Sequence, residues 1–266
     1  MTRTRTTENF PVGSWLIAPR HRAAVHAFYA FAREADDIAD DPAREAADKL
    51  VALDSHDAAL LGAEGPETAV ALRDLFAARG LPIEHARHLL QAFKADAGGR
   101  NCRTWSDLLA YCRYSAAPVG RFLLDLHGES KETWLASDAL CAALQILNHL
   151  QDAQSDWLDL RRRYIPGEWL ERAGLTEREL LAARMSAELR AIYDRALDRV
   201  DQLNAQARAL PAAIRDRRMR MEAAAIVALS ERLAKRLRRQ DPLARRVALS
   251  RWDKIASLGA ALRAAP

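Results

Sequence analysis

An all-α fold is predicted by three observations. Ala and Leu recur at helical spacing through most of the chain, Gly (11) and Pro (10) are sparse in 266 residues, and alternating Val/Ile/Thr runs bounded by turn residues are missing. Pro19, Pro42, Pro66, Pro82, Pro166, Pro211 and Pro242 also fall where periodic segments start or stop. A proline lacks the backbone N–H and fixes φ, so it suits a first helical turn and disrupts an interior one. Pro19 therefore opens a helix over 19–40, and Pro42 follows its end. Helices over 44–62 and 66–79 are separated at Pro66, and Pro82 opens 82–97, which stops at Gly98-Gly99. Longer periodic stretches predict 104–128 and 132–160, the second closed by the loop Tyr164-Ile165-Pro166-Gly167. The remainder reads as helices over 176–209, 211–240 and 242–264, with Pro211 and Pro242 at the two junctions. With no repeat, low-complexity stretch or evident linker, one domain over 1–266 is expected.

Composition narrows the function classes. No stretch approaches the ~18 consecutive apolar residues of a membrane span. Met1 to Glu8 is short and polar, without the apolar core of a signal peptide, so a cytoplasmic protein is expected. Cys102, Cys112 and Cys141 form neither a CxxC pair nor a Cys/His metal spacing and read as buried reduced thiols. The net charge of +4 comes largely from arginines, notably between Arg215 and Arg220 and between Arg232 and Arg251. Such a surplus suits nucleic acid, anionic lipid or an anionic substrate. Without a nucleic-acid motif or interleaved aromatics, nucleic acid ranks last.

Two acidic clusters carry the chemistry. Asp36-Asp37-Ile38-Ala39-Asp40 and Asp152-Ala153-Gln154-Ser155-Asp156 each repeat a carboxylate at i and i+4 and lie more than a hundred residues apart. Carboxylates four apart share one side of a helix. A small hard cation such as Mg²⁺ is usually held by one or two of them together with substrate phosphates. In a chain that is 29% charged the same strings also read as solvated faces. Their neighbours favour a site. On the first helix Tyr29, Arg33, Asp36 and Asp40 fall within about 60° of rotation, with Phe28, Phe31, Ala35 and Ile38 on other sides. On the second, Gln145, Asn148, Asp152 and Asp156 fall within about 80°, with Leu140, Leu144, Leu147 and Leu158 opposite. Neither stripe contains a Lys, whereas a solvent face would intersperse Lys and Glu. Two walls of one diphosphate-handling site are expected.

Three segments in order, Phe28 to Asp40, Tyr111-Cys112-Arg113-Tyr114-Ser115-Ala116-Ala117-Pro118-Val119-Gly120, and Gln145 to Asp152 running on through Asp156 and Arg162-Arg163-Tyr164-Ile165-Pro166, resemble the squalene/phytoene synthase family. The resemblance covers most of the chain and implies an isoprenoid-synthase-type helical bundle with a central cavity. Within the family the chain is most similar to the branch that feeds hopanoid biosynthesis. The opening Glu8-Asn9-Phe10-Pro11-Val12-Gly13-Ser14 looks like that branch's signature, Gln151 stands where condensing members have Arg, and the spacer Trp157 to Arg161 is similar too. At Ala117 the branch would have Asn, which puts product specificity in question.

The resemblance implies Mg²⁺, with Mn²⁺ as an alternative, held by Asp36, Asp40, Asp152 and Asp156. It further implies phosphate neutralisation by Arg33 and Arg162, with Tyr29, Tyr114, Tyr164 and Asn148 near the reacting groups. Phe10, Ser14, Gln145 and Gln151 complete the implied substrate-binding set. Tyrosines packed with their hydroxyls at the rim, and buried amides satisfying nearby backbone, are the alternatives for these residues. The implied partners are presqualene diphosphate and water, with no NADPH, hand-over of the intermediate from a presqualene diphosphate synthase, and transient contact with the inner face of the membrane through the basic C-terminal helices. Other readings are a head-to-head prenyltransferase making presqualene diphosphate or a related C30/C40 product, and a non-catalytic assembly protein of the same fold.

Overall fold

The computed structural model describes residues 17–99 and 101–265, and among them every regular element is helical. The α-helices are α1 (Pro19–Asp40), α2 (Ala46–Leu60), α3 (Glu67–Arg79), α4 (Glu84–Ala97), α5 (Trp105–Ser115) and α6 (Ala117–Leu126). They continue with α7 (Trp134–Leu160), α8 (Gly167–Arg172), α9 (Ala187–Ala207), α10 (Leu210–Ala213), α11 (Arg217–Arg239) and α12 (Arg251–Arg263). Short 3₁₀ turns at Lys131–Thr133 and Glu177–Leu181 complete the set.

The expected helix over 19–40 is α1, with Pro19 at its start. Several longer expectations need correction. The stretch 104–128 is two helices, because Pro118 in the first turn of α6 cannot donate into a continuing helix; the chain bends at Ala116, φ −127° and ψ −46°. The stretch 176–209 begins only at Ala187, where Ser186 accepts the Leu189 N–H and Asp241 accepts the Met185 N–H. The stretch 211–240 breaks after α10 and restarts where the Asp216 side chain caps α11. In place of a helix from 242, a strap over 241–250 leads to α12, which opens on a reciprocal Ser250/Asp253 capping box. The loop expected after Tyr164 runs straight into α8 at Gly167.

Two large cores lie on either side of the site. The first, under α1 to α4 and α6, contains Phe31, Leu53, Leu72 and a stack of Phe28, Phe76 and Phe122, the Phe28 and Phe122 ring centroids 4.2 Å apart. The second, under α5, α7, α8, α9 and α11, contains Ile146, Leu147, Trp169, Leu189, Tyr193 and Leu237. A smaller one joins Leu124, Leu140, Leu210 and Val227. Cys102 and Cys112 are buried free thiols and Cys141 a partly buried one, its pKa pushed up to about 12 chiefly by burial. No helix among the described residues is long and apolar enough to cross a membrane.

Candidate active site

Both acidic stripes end up near the C-termini of their helices. Asp36 and Asp40 occupy the closing turns of α1, and Asp152 and Asp156 the closing turns of α7, neither of which has a basic residue in its last turn. A helix C-terminus carries partial negative charge that fades beyond the last turn, so the Asp40 carboxylate there is unfavourable by about 0.3–1 kcal/mol unless a cation offsets it. Part of that offset comes from the next residues of the chain. At Arg161 the backbone turns through the left-handed region, φ 54°, the sole non-glycine residue with positive φ among those described. Arg162 then faces back across the molecule, with Nη1 donating to Asp40 Oδ1 at 2.5 Å and Nη2 to the Ala39 carbonyl at 2.9 Å. One guanidinium thus ties the end of α7 to the end of α1. Burial alone would lower the Arg162 pKa, but Asp96 and Asp40 outweigh it and hold the group charged.

Arg33 offsets carboxylate charge within α1 itself. It donates from Nη1 to Asp36 Oδ2 at 3.2 Å and from Nη2 to Asp37 Oδ1 at 2.6 Å. An open groove of about 800 Å³ runs beside it, lined by Tyr29, Arg33, Glu34 and Asp37 among the described residues. Asp36 and Asp40 do not line that groove. The predicted stripe is therefore divided between a groove side and a side facing Arg162.

Behind Arg162, at the seam between the two large cores, lies a polar cluster that brings the predicted Tyr164 and Gln145 together with Asp96 and Tyr111, which sequence reasoning missed. Asp96, at the end of α4, is 6% exposed and accepts the Tyr111 hydroxyl at 2.7 Å and the Tyr164 hydroxyl at 3.2 Å, one on each carboxylate oxygen. Burial pushes its pKa up, against the charge of Arg162 and the hydrogen bond from Tyr111. The Tyr111 and Tyr164 hydroxyls are themselves raised well above the ordinary value, first by burial and then by Asp96. His149 stacks on the Tyr164 ring, with centroids 3.5 Å apart and planes 18° off parallel. Gln145 Nε2 lies 3.2 Å from His149 Nε2, and His149 Nδ1 lies 3.7 Å from Asp156 Oδ2.

Other predicted residues are distributed unevenly. Asn148 and Asp152 are half-buried on α7. Gln151 is buried, and its side-chain amide donates to the Val247 carbonyl, fastening the strap before α12 to the helix of Asp152 and Asp156. Tyr114 is not brought to the cluster: it is 37% exposed, with its ring against His88. Leu158, expected on the apolar side of α7, is exposed. Phe10 and Ser14 lie outside the described residues. Asp96 had one legible signal, a carboxylate seven residues after buried Leu89 on the face of α4 that also buries Ala92 and Ala97.

The donor set fits Mg²⁺. All four stripe carboxylates are hard oxygen donors, yet among the described residues no three Asp, Glu, His or Cys side chains converge into a cage. That combination suits a cation completed by waters and substrate phosphates rather than one enclosed by protein.

Residues 3–253 match the squalene/phytoene synthase family. The chain is 45% identical to a hydroxysqualene synthase from Rhodopseudomonas palustris, covering 97% of this chain and 89% of that protein. It is 41% identical to a hydroxysqualene synthase from Zymomonas mobilis, covering 97% and 87%. A crystal structure of a squalene synthase from Alicyclobacillus acidocaldarius superposes with a TM-score of 0.77 at 33% identity, over 89% of this chain and 90% of that one. The chain belongs to the squalene/phytoene synthase family.

Proposed function

We propose that this chain releases diphosphate from presqualene diphosphate and captures the resulting carbocation with water, giving hydroxysqualene. The observation that carries the reading is the 41–45% identity, over 97% of the chain, to proteins named for that product. Bound through Asp36, Asp40, Asp152 and Asp156, Mg²⁺ or Mn²⁺ would supply Lewis-acid neutralisation of the leaving diphosphate.

The chain's own residues account for the remaining chemistry. Arg33 and Arg162 are each already paired with carboxylates, so cationic and anionic groups alternate around the stripes and a phosphate oxygen can replace a carboxylate as their partner. C–O cleavage leaves a cyclopropylcarbinyl cation that rearranges before capture. The π faces of Tyr29, Tyr111 and Tyr164 favour positive charge, and Asp96 fixes two of those rings by their hydroxyls. Gln145 and Asn148 provide amides on the Asp152 side that can order the capturing water. Gln151 has a positioning role through Val247, in addition to leaving the site one guanidinium lighter than in condensing relatives, which must bind two diphosphates. No hydride donor enters the reaction. A C30 substrate arrives through lipid, so the protein is proposed to act in the cytoplasm with transient contact at the membrane's inner face, receiving its substrate from a presqualene diphosphate synthase.

Product analysis by mass spectrometry decides between the readings. Purified protein with Mg²⁺ is incubated with presqualene diphosphate and, separately, with farnesyl diphosphate, both without NADPH. Hydroxysqualene from the first alone supports the proposal. Presqualene diphosphate from the second identifies a condensing enzyme, and no product from either identifies a non-catalytic protein of this fold.

A further inference from the structure

Helix α12 packs the wrong way round for a soluble protein. Its inward side carries two polar groups beside a small apolar one: Asp253, Ser257 and Ala261 are buried, and Asp253 is held by Arg236 Nη2 at 2.6 Å and by the Ser250 cap. Its outward side is apolar. Trp252 is 65% exposed, Ile255 52%, Leu258 45% and Leu262 68%. At about 100° per residue these four fall within about 120° of one another, opposite Asp253 and Ser257. The buried ion pair fixes which way the helix faces, so this exposure is imposed by the packing. Four large apolar side chains in one stripe are more than the scattered surface leucines of a soluble protein.

The charges around the stripe indicate what covers it. From Ala244 to Ala265 the chain has five basic residues, Arg245, Arg246, Arg251, Lys254 and Arg263, all exposed. Its one acid in that stretch, Asp253, is turned inward and neutralised. The guanidinium of Arg251 lies over the Trp252 ring at 5.2 Å, a cation and an amphipathic ring side by side. A second copy docked face to face on this stripe would set these cations against themselves. An anionic surface has no such conflict.

We infer that the Trp252, Ile255, Leu258 and Leu262 face of α12 docks into an anionic lipid bilayer, the apolar side chains entering the interface and the surrounding arginines meeting the headgroups. This deepens the proposed membrane contact by giving it a face. The strap before α12 is fastened to α7 by the bond from Gln151 to the Val247 carbonyl, one residue before Asp152. The docked helix is thereby mechanically continuous with the acidic stripe that would receive a lipid-borne diphosphate.

The test is co-sedimentation of the full chain with phosphatidylcholine vesicles, with and without phosphatidylglycerol, in the absence of substrate. Vesicle binding involves no turnover, so it stands or falls separately from the catalytic reading. Wild-type protein is expected to bind only the anionic vesicles and to be released by salt. Ile255→Asp/Leu262→Asp should weaken binding by roughly tenfold or more, and Arg251→Glu by about fivefold or more. Both variants alter only outward side chains, so their melting temperatures and their turnover of detergent-dispersed substrate should match wild type. Equal binding to neutral vesicles, or undiminished binding by the double variant, would overturn the inference. So would a wild-type chain that ignores vesicles, whether it stays monomeric or forms a concentration-dependent dimer that the double variant abolishes; the dimer would assign the face to a second copy.

Discussion

Arg162 and Asp40 are 122 residues apart in sequence and 2.5 Å apart in space, and the same guanidinium reaches the Ala39 carbonyl. Two donors of one planar fork hold two acceptors at the end of α1, a geometry that an ammonium on a flexible stem cannot reproduce. Arg162→Lys is expected to lower kcat/KM for presqualene diphosphate by roughly 10- to 100-fold and to cost about 1.5–3 kcal/mol of stability. Steady-state kinetics and urea unfolding measure the two effects. Activity within about threefold of wild type would remove Arg162 from the site.

Tyr111 and Tyr114 separate a buried role from a surface one. Tyr111 donates to Asp96 beneath Arg162, whereas Tyr114 lies half out in solvent against His88. Tyr111→Phe leaves one oxygen of a buried carboxylate short of a donor, and turnover is expected to fall by about tenfold or more. Tyr114→Phe should stay within about twofold, because its hydroxyl lies outside the cluster. Asp96→Asn adds a control: the amide preserves size but removes the charge facing Arg162, so kcat should drop while KM for substrate changes little. Equal losses for the two phenylalanine variants would show that the cluster does not organise catalysis.

The stripe carboxylates should separate catalysis from folding. Asp36 and Asp152 are both only half-buried, so an amide of equal size removes the proposed metal ligand at small cost to the fold, which at Asp36 includes a partly exposed ion pair with Arg33. Asp36→Asn and Asp152→Asn are expected to lose about a hundredfold or more in turnover while the thermal unfolding midpoint stays within about 3 °C of wild type. Chelation should silence the wild-type enzyme, and Mg²⁺ should restore it. Wild-type rates in either variant would remove the metal site.

How far the sequence exposes these features depends on how local their causes are. The α1 helix is legible because Pro19 starts it and its periodicity is unbroken, and the alignment of Arg33 with Asp36 follows from helical rotation. The break at Ala116 is less so, because Pro118 sits in the middle of an otherwise periodic stretch and reads as a local irregularity. Asp96 is one of 36 acids, and only the packing of α4 against α5 shows that it is buried. Tyr111 and Tyr114 are three apart on one helix, about 60° in rotation, so periodicity cannot select between them. Tertiary contact selects. Only the family resemblance points to Arg162, since its position depends on a left-handed turn at Arg161 that no glycine announces.

His21 gives the protein a dependence on mild acid. It is 8% exposed at the start of α1, its Nε2 accepts from Arg20 Nε at 3.0 Å, and the His127 ring lies 4.4 Å away. Burial is the largest cause, and nearby His127, Arg20 and Arg79 add to it, together outweighing Asp216, so that its pKa falls from 6.5 to about 4. The unfolded chain takes up this proton near pH 6.5 and the folded one only near pH 4. Stability from keeping His21 neutral is therefore fully present above about pH 6.5 and lost as the pH falls towards 4, with a total of roughly 1–3 kcal/mol. Urea midpoints of wild type should decline across that window. His21→Gln, whose amide oxygen can still accept from Arg20, should flatten that part of the decline and leave stability at pH 8 within about 1 kcal/mol of wild type. An unchanged slope in the variant would assign the acid sensitivity to other groups.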